Sequence, residues 1–191
     1  MKITLIRHAE TTWNALGMLQ GQADPPLTQK GVDQAKILAD RMKQDNSNYN
    51  IIFSSERLRA RQVAEILSEH LSIPVIYNSK LNSRNLGDFS GKSLEELEEN
   101  LPLLYKKYIS NEIDFAPPNG ESTRQVLKRC ENFLTEIKSN YDTNHHIVLV
   151  THRGNIGKLH YLITGEHMED PLRSVKNCHP YTYQIKFSET S

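Results

Sequence analysis

Short apolar runs alternate with longer segments of helical periodicity along the chain, and this alternation limits the possible folds more than any other feature. Mostly apolar residues at 2–6, 50–53 and 146–150 predict buried strands. Residues 74–77 predict a further short strand, and the alternating residues 181–187 suit an edge strand. Strands separated by helical segments are typical of α/β proteins. We therefore predict a three-layer sandwich, in which helices cover both faces of a mostly parallel, doubly wound sheet.

Capping residues and apolar spacing mark the predicted helices. Thr28 is an N-cap residue before a helix whose apolar residues recur on one face. Ser93 with Glu96 and Ser122 with Gln125 have the spacing of capping boxes, which predicts two more helix starts. Helices are also predicted up to residue 71 and over residues 154–163. The 191 residues are expected to form a single domain spanning 1–191.

Charge and cysteine content exclude several classes of protein. Lysine plus arginine and aspartate plus glutamate each number 23, so neither nucleic acid nor a membrane surface is an expected partner. Cys130 and Cys178 are far apart and in no CxxC pair, which argues against a disulfide framework and a thiolate zinc site. The N-terminal MKITLIRHAE has too few apolar residues before Arg7 for a signal peptide or a transmembrane helix. We expect a soluble, cytoplasmic protein.

Histidine and arginine side chains follow several predicted strands at the points where those strands end. In a mostly parallel sheet the carboxyl ends of the strands share one edge, and ligands bind there. No run of carboxylates offsets the positive charge at this edge, so the sequence predicts an anion site. The residues at the strand ends are Arg7, His8, Ser54, Ser55, Arg57, Arg59, Thr151, His152 and Arg153.

Two histidines within this group suggest a particular chemistry. His8 and His152 each come directly after a buried strand and beside an arginine. A neutral imidazole can attack phosphorus when the charge of the phosphoryl group is neutralised. Arginine binds phosphate through two parallel hydrogen bonds and remains charged at any working pH. A P-loop, a DxD pattern and an HExxH pattern are absent from the sequence, so the residues favour histidine chemistry on a phosphate ester.

Five segments resemble the motifs of the histidine phosphatase superfamily, in its phosphoglycerate-mutase-like branch. Residues 7–14, RHAETTWN, are similar to RHGET-x-WN with Ala9 in place of the glycine. The other four are residues 20–31, similar to QG…D-x-PLT-x-x-G, residues 54–64, similar to SSPLxRAxQTA, residues 120–122, which match GES, and residues 150–154, similar to V-[ST]-H-G-G. Their order and spacing agree over nearly the whole chain. The resemblance implies a small helical lid over residues 93–119.

Carried over by position, the resemblance also implies roles for individual residues. His8 is the implied nucleophile, which becomes a phosphohistidine. Arg7, Arg59 and His152 are implied to form the phosphate pocket with it, and Asn14 is implied to donate a further hydrogen bond to phosphate. The resemblance implies neither a metal nor a cofactor.

Some of these positions have a simpler structural interpretation as well. Gln20 and Gly21 are implied to line the mouth of the pocket, but they could form only a turn, and Asn14 could only cap its loop. Arg153 stands where the family usually has glycine, and a cation opposes the dipole at the start of a helix. We expect it either to contact an anionic group of the substrate or to lie exposed. Arg57, at the family's leucine position, is expected on the surface or facing the substrate.

The loop at residues 80–93, KLNSRNLGDFSGKS, carries the main departure from the family. It resembles L-x-E-x-x-x-G-x-x-x-G, in which the glutamate protonates the leaving alcohol and later activates water. Leu81, Gly87 and Gly91 preserve the frame, but Ser83 occupies the glutamate position, and its hydroxyl has no useful acidity near neutral pH. A positioned general acid–base contributes about 10² to 10⁴ in rate. Turnover of alkyl phosphates is therefore expected to suffer more than turnover of aryl phosphates.

Three explanations of Ser83 are open. Another carboxylate, Glu121 or Asp88, supplies the proton; the protein is a weak phosphatase or only binds phosphoesters; or the residue was changed deliberately. The sequence predicts a phosphomonoester phosphatase whose partner is a small-molecule phosphate ester, and it predicts no particular oligomeric state. The first alternative is a catalytically impaired phosphometabolite-binding protein. A mutase is less favoured, because mutases of this family are longer.

Overall fold

The fold is built on a five-stranded sheet, seen in a computed structural model that describes residues 1–168 and 175–185. The strands are β1 Lys2–Arg7, β2 Ile51–Ser54, β3 Val75–Tyr77, β4 His146–Thr151 and β5 Pro180–Gln184. Their order across the sheet is β3-β2-β4-β1-β5; the first four run parallel, and β5 pairs antiparallel with β1. The predicted mostly parallel sheet is confirmed. Positions 186 and 187 of the predicted edge strand lie outside the described residues.

The helices include three that begin where capping signals predict them. In the described residues they are α1 Thr12–Ala15, α2 Gln29–Gln44, α3 Leu58–Leu71, α4 Leu94–Asn100, α5 Pro102–Ile109, α6 Thr123–Asn140 and α7 Arg153–Thr164. The Thr28 side chain caps α2, and capping boxes at Ser93 and Ser122 begin α4 and α6. Pro102 begins α5 because the first turn of a helix needs no backbone N–H from it. The sequence did not predict α1, which is a single turn.

Alternate residues of the strands face two separate apolar layers. On one face Ile147 and Leu149 of β4 pack with residues of α6 and α7, among them Phe133. On the other face Val148 and Val150 pack with residues of α2 and α3. Because β4 is covered on both sides, all six of its residues are buried. The arrangement is the predicted three-layer α/β sandwich.

A third, smaller apolar cluster lies under α4 and α5. Leu86, Phe89 and Leu97 are buried there, and partly buried side chains from α5, including Tyr108, pack on them. The 80–93 loop therefore shares a core with residues 93–119, the segment predicted to be a lid. Within residues 1–168 and 175–185, the structure contains no helix that is long and apolar enough to cross a membrane.

Candidate active site

The register of β1 and β4 brings the two predicted catalytic histidines together. Arg7 is paired with Thr151 across these neighbouring parallel strands, so the residues that follow, His8 and His152, emerge side by side at the carboxyl edge of the sheet. Their ring centroids are 5.3 Å apart. Both rings are buried, with 4% and 3% of the residue exposed. The pairing of strand ends that the sequence indicates is therefore present in the fold.

His8 has one ring nitrogen engaged and the other available. Its Nδ1 lies 2.7 Å from the carbonyl oxygen of Ala9. Because a carbonyl only accepts, Nδ1 carries the proton, and Nε2 of the neutral ring keeps its lone pair. Burial, followed by the positive charges of Arg59 and Arg7, holds the pKa of His8 well below its usual value of 6.5. The ring is therefore neutral at pH 7, which is the state a histidine nucleophile requires.

Two buried guanidinium groups lie beside the histidines and are held by backbone carbonyls. Arg59 is 1% exposed; its Nη1 donates to the Ala23 carbonyl at 2.7 Å, and its Nη2 to the Gly21 carbonyl at 2.8 Å. Arg7 Nη1 donates to the Val175 carbonyl at 2.9 Å. Burial is the main reason that the pKa of each guanidinium is lowered to about 10. Both groups remain charged at neutral pH.

Unpaired polar atoms concentrate at this edge of the sheet. Over residues 1–168 and 175–185, the buried side-chain nitrogens and oxygens without a hydrogen-bond partner are Nε of Arg7, Arg57 and Arg59, Nδ1 of His152 and Oε1 of Gln20. Buried polar groups are nearly always paired in folded proteins. Three of these five atoms are guanidinium N–H donors, which are matched by an oxyanion. The arrangement is therefore suited to binding phosphate.

A chain of hydrogen bonds positions His152. Its Nε2 lies 2.8 Å from Ser55 Oγ, and Ser55 Oγ donates to Asn82 Oδ1 at 2.9 Å. Burial, and then the charge of Arg59, keeps the pKa of His152 well below its usual value. Ser55 directly follows β2, and its place at a strand end was the signal in the sequence. Asn82 had no such signal, because its partner lies 27 positions away.

The 80–93 loop is fixed to the carboxyl end of β4. Thr151 Oγ1 donates to the Leu81 carbonyl at 2.7 Å. Asn155 Nδ2 donates to the carbonyls of Leu81 and Asn82 at 2.8 and 2.9 Å. Thr151 therefore has a structural hydrogen-bonding role, and Asn155, which sequence analysis missed, has a similar one.

The predicted mouth residues have local partners as well. Asn14 Oδ1 accepts the Thr11 backbone N–H at 3.2 Å, completing a capping box at α1, so a contact between Asn14 and phosphate stays a prediction. Gln20 is buried. Gly21 adopts φ +51°, and its carbonyl accepts from Arg59. A role of Gln20 and Gly21 in lining the mouth likewise stays a prediction.

Two further arginines lie near the site. Arg57 Nη1 donates to the Gln22 carbonyl at 3.1 Å and lies 3.6 Å from an Asp24 carboxylate oxygen. Arg153 is the first residue of α7, and its charge contributes to the lowered pKa values of Arg7 and His8. The positive field of Arg153 therefore reaches the pocket, while its contact with substrate stays a prediction.

Ser83 and the two carboxylates that could replace the missing glutamate all form hydrogen bonds with neighbouring residues. The Ser83 carbonyl accepts from Gln22 Nε2 at 3.2 Å. The Glu121 carboxylate accepts Arg129 Nε at 2.9 Å and Nη2 at 3.2 Å. The Asp88 carboxylate accepts Asn119 Nδ2 at 3.1 Å. Glu121 thus has a structural role in a two-point ion pair, which does not favour it as the missing acid.

The fold and the site together define an α/β protein whose sheet edge holds two buried guanidinium groups beside a neutral histidine with one ring nitrogen available. Residues 3–189 match the sequence profile of the histidine phosphatase superfamily, branch 1, and the chain belongs to this family.

Individual relatives agree with this assignment. The chain is 31% identical to Phosphoserine phosphatase 1 of Hydrogenobacter thermophilus over 80% of its own length and 71% of that protein. It is 33% identical to Phosphoglycerate mutase-like protein 4 of Arabidopsis thaliana, covering 83% of the chain and 69% of that protein. The structure of the alpha-ribazole phosphatase from Shigella flexneri superposes with a TM-score of 0.82 at 26% identity, covering 95% and 89% of the two chains.

Proposed function

We propose that this protein is a phosphomonoester phosphatase that works through a phosphohistidine on His8. The observation that carries the proposal is the state of His8, which is neutral, protonated at Nδ1 and placed beside two charged guanidinium groups. The family includes both phosphatases and mutase-like proteins. Relatives named for the hydrolysis of small phosphate esters support the phosphatase assignment.

In the proposed reaction, His8 Nε2 attacks the phosphorus of the ester. The nitrogen–phosphorus bond forms while the bond from phosphorus to the alcohol oxygen breaks, and the alcohol leaves after taking up a proton. Arg7 and Arg59 neutralise the charge on the phosphoryl oxygens. His152 donates a further hydrogen bond from Nδ1 once the bound phosphate has stabilised its protonated ring. Water then attacks the phosphohistidine, the nitrogen–phosphorus bond breaks, and inorganic phosphate leaves.

No metal is part of this proposal. The guanidinium groups of Arg7 and Arg59 supply the charge that Mg²⁺ supplies in many other phosphoryl-transfer enzymes. We expect activity to be unchanged after dialysis against EDTA. A loss that added Mg²⁺ or Mn²⁺ restored would contradict this part of the proposal.

The proposal is tested by hydrolysis of p-nitrophenyl phosphate, whose aryl alcohol leaves without help. Wild type, His8→Ala and His145→Ala are compared; His145 precedes β4 at the opposite edge of the sheet and is the matched control. We expect His8→Ala to abolish both turnover and the transfer of a labelled phosphoryl group to the protein, whereas His145→Ala retains both. The labelled protein is detected on a gel run under alkaline conditions. Turnover that persists in His8→Ala would refute the phosphohistidine route.

One observation favours a second candidate, a phosphometabolite-binding protein with little turnover. It is Ser83, which provides no acid for the leaving alcohol. This candidate predicts saturable binding of phosphate esters with no His8-dependent hydrolysis of p-nitrophenyl phosphate. A mutase is a third candidate, since a mutase-like protein of Arabidopsis thaliana is 33% identical to the chain.

A further inference from the structure

We infer that Glu56 supplies the carboxyl group that Ser83 lacks, acting as general acid and base in the reaction proposed above, on which this inference rests. Glu56 directly follows Ser55 at the carboxyl end of β2, where the family motif has proline. Two segments that are distant in sequence, residues 54–56 and the 80–93 loop, meet at this point. The inference follows from how they are joined.

Asn82 links Glu56 to the position of the missing acid. The Glu56 backbone N–H donates to Asn82 Oδ1 at 2.9 Å, and Asn82 Nδ2 donates to Glu56 Oε2 at 2.9 Å. Asn82 is 7% exposed and immediately precedes Ser83. The Glu56 carboxylate is therefore held against the residue next to the one that bears the acid in the family.

The side-chain amide of Asn82 also links Glu56 to the histidine pair through further hydrogen bonds. Asn82 Oδ1 also accepts from Ser55 Oγ, which lies 2.8 Å from Nε2 of His152. Glu56 is thus separated from a pocket histidine by two side chains, each within hydrogen-bond distance of the next. Glu56 is the exposed residue of this series, so its carboxylate is open to solvent.

The other carboxylates near the site are less available. Glu121 is paired with Arg129, Glu10 with Lys30, and Asp24 accepts the Leu58 backbone N–H and lies close to Arg57. Glu56 has no ion pair within the described residues, and its carboxylate receives a hydrogen bond from a neutral amide. Asp88 also has a neutral partner, Asn119, but no hydrogen bond connects its side chain to the pocket histidines in the part of the chain that the structure describes.

The proposed steps balance as follows. As His8 Nε2 bonds to phosphorus, the proton of the Glu56 carboxyl group passes to the alcohol oxygen and the alcohol leaves neutral. In the second half, the Glu56 carboxylate takes a proton from water while the water oxygen bonds to phosphorus and the bond to Nε2 breaks. Glu56 is then protonated again and ready for the next ester.

The test compares Glu56→Gln with wild type on two substrates, O-phosphoserine as an alkyl ester and p-nitrophenyl phosphate as an aryl ester. Glutamine can still accept from Asn82 Nδ2, so the change removes acidity and keeps the contact. We expect kcat/KM to fall about 100-fold for the alkyl ester, the usual scale of general acid–base catalysis, and less than about 3-fold for the aryl ester. We also expect phospho-His8 to accumulate during aryl turnover, because its hydrolysis loses the base.

Two further variants separate catalysis from structure. Asp88→Asn removes the rival carboxylate of the same loop, and it should leave the rates on both substrates unchanged if Glu56 is the acid. Ser83→Glu introduced into Glu56→Gln should restore most of the alkyl-ester rate, because it returns a carboxyl group to the family position. In wild type the same Ser83→Glu change should add less than about 10-fold, since general acid–base catalysis is already present.

The outcomes distinguish this inference from the proposed function. If hydrolysis of the aryl ester does not depend on His8, the proposed function fails. If hydrolysis does depend on His8, any one of three results overturns the assignment of Glu56 while the phosphohistidine route stands. These results are that Glu56→Gln lowers the rates of both esters equally, that Asp88→Asn shows the same selective loss, or that Ser83→Glu restores nothing.

Discussion

Two buried neutral histidines make the stability of the protein depend on pH in a specific way. The pKa values of His8 and His152 are both held well below 6.5 in the fold, mainly by burial, whereas in the unfolded chain they return to the usual value. Below pH 6.5 the unfolded state therefore binds protons that the native state does not. The contribution that these two neutral histidines make to the free energy of unfolding is fully present above pH 6.5. It is lost as the pH falls toward the native pKa values. Between pH 7.5 and 5.5 we expect each histidine to remove about 1.4 kcal/mol from the free energy of unfolding.

Urea unfolding at these two pH values, in buffers without phosphate, measures the effect. Carboxylates add their own pH dependence, so the informative quantity is the change in unfolding free energy from pH 7.5 to 5.5, compared between variants. In His8→Gln this change should be smaller than in wild type by about 1.4 kcal/mol, because one titrating group is gone. His167→Gln, at an exposed histidine, is the matched control and should match wild type. If His8→Gln also matches wild type, His8 is not held neutral in the fold.

Three other predictions follow from particular contacts. Arg59→Lys should lower kcat/KM by at least about 100-fold, because a single ammonium nitrogen lacks the planar fork through which separate guanidinium nitrogens reach two carbonyls and a phosphoryl oxygen. Steady-state kinetics on p-nitrophenyl phosphate measures the effect, and a loss below about 10-fold would contradict it. Gly87→Ala should lower the free energy of unfolding by about 3 kcal/mol or more, because Gly87 has φ +49° and a Cβ there would overlap the Pro118 carbonyl. A urea midpoint equal to that of wild type would disprove this. Cys130 and Cys178 should both react slowly with a thiol reagent at pH 8, because burial raises their pKa values to about 11 and about 12. Rapid labelling of either cysteine in the native protein would contradict this prediction.

The strands and the helix starts could be predicted because local residues determine them. A buried strand in a parallel sheet needs consecutive apolar residues, which β4 supplies, and a helix start needs a polar cap, which Thr28 and Ser122 supply. The positions of His8 and His152 at one edge followed from the parallel arrangement alone. Each of these features is determined by a few consecutive residues and can therefore be predicted from the local sequence.

The parts that could not be predicted depend on contacts between distant segments. The side chains of Ser55 and Asn82 bond to each other across 27 positions, and no local pattern indicates such a pair. The ion pair of Glu121 with Arg129, which lies in α6 eight positions further along the chain, makes Glu121 a less favoured acid than its place in the GES motif suggests. Glu56 was overlooked because the family has a proline there, so resemblance gave no reason to consider it.

The way the guanidinium groups are held explains why the site suits a phosphate rather than a neutral ligand. Arg59 is held by two backbone carbonyls and Arg7 by one, and neither forms an ion pair with a carboxylate within the described residues. A carboxylate partner would cancel the positive charge, and an incoming phosphate would then have to compete with it. Carbonyls orient the guanidinium groups and leave their net charge in place. Burying two cations without an ion-pair partner has a cost, which is visible in their lowered pKa values. In the proposed reaction this cost is offset when a phosphoryl group enters, so binding and catalysis would both use the same preorganised positive field.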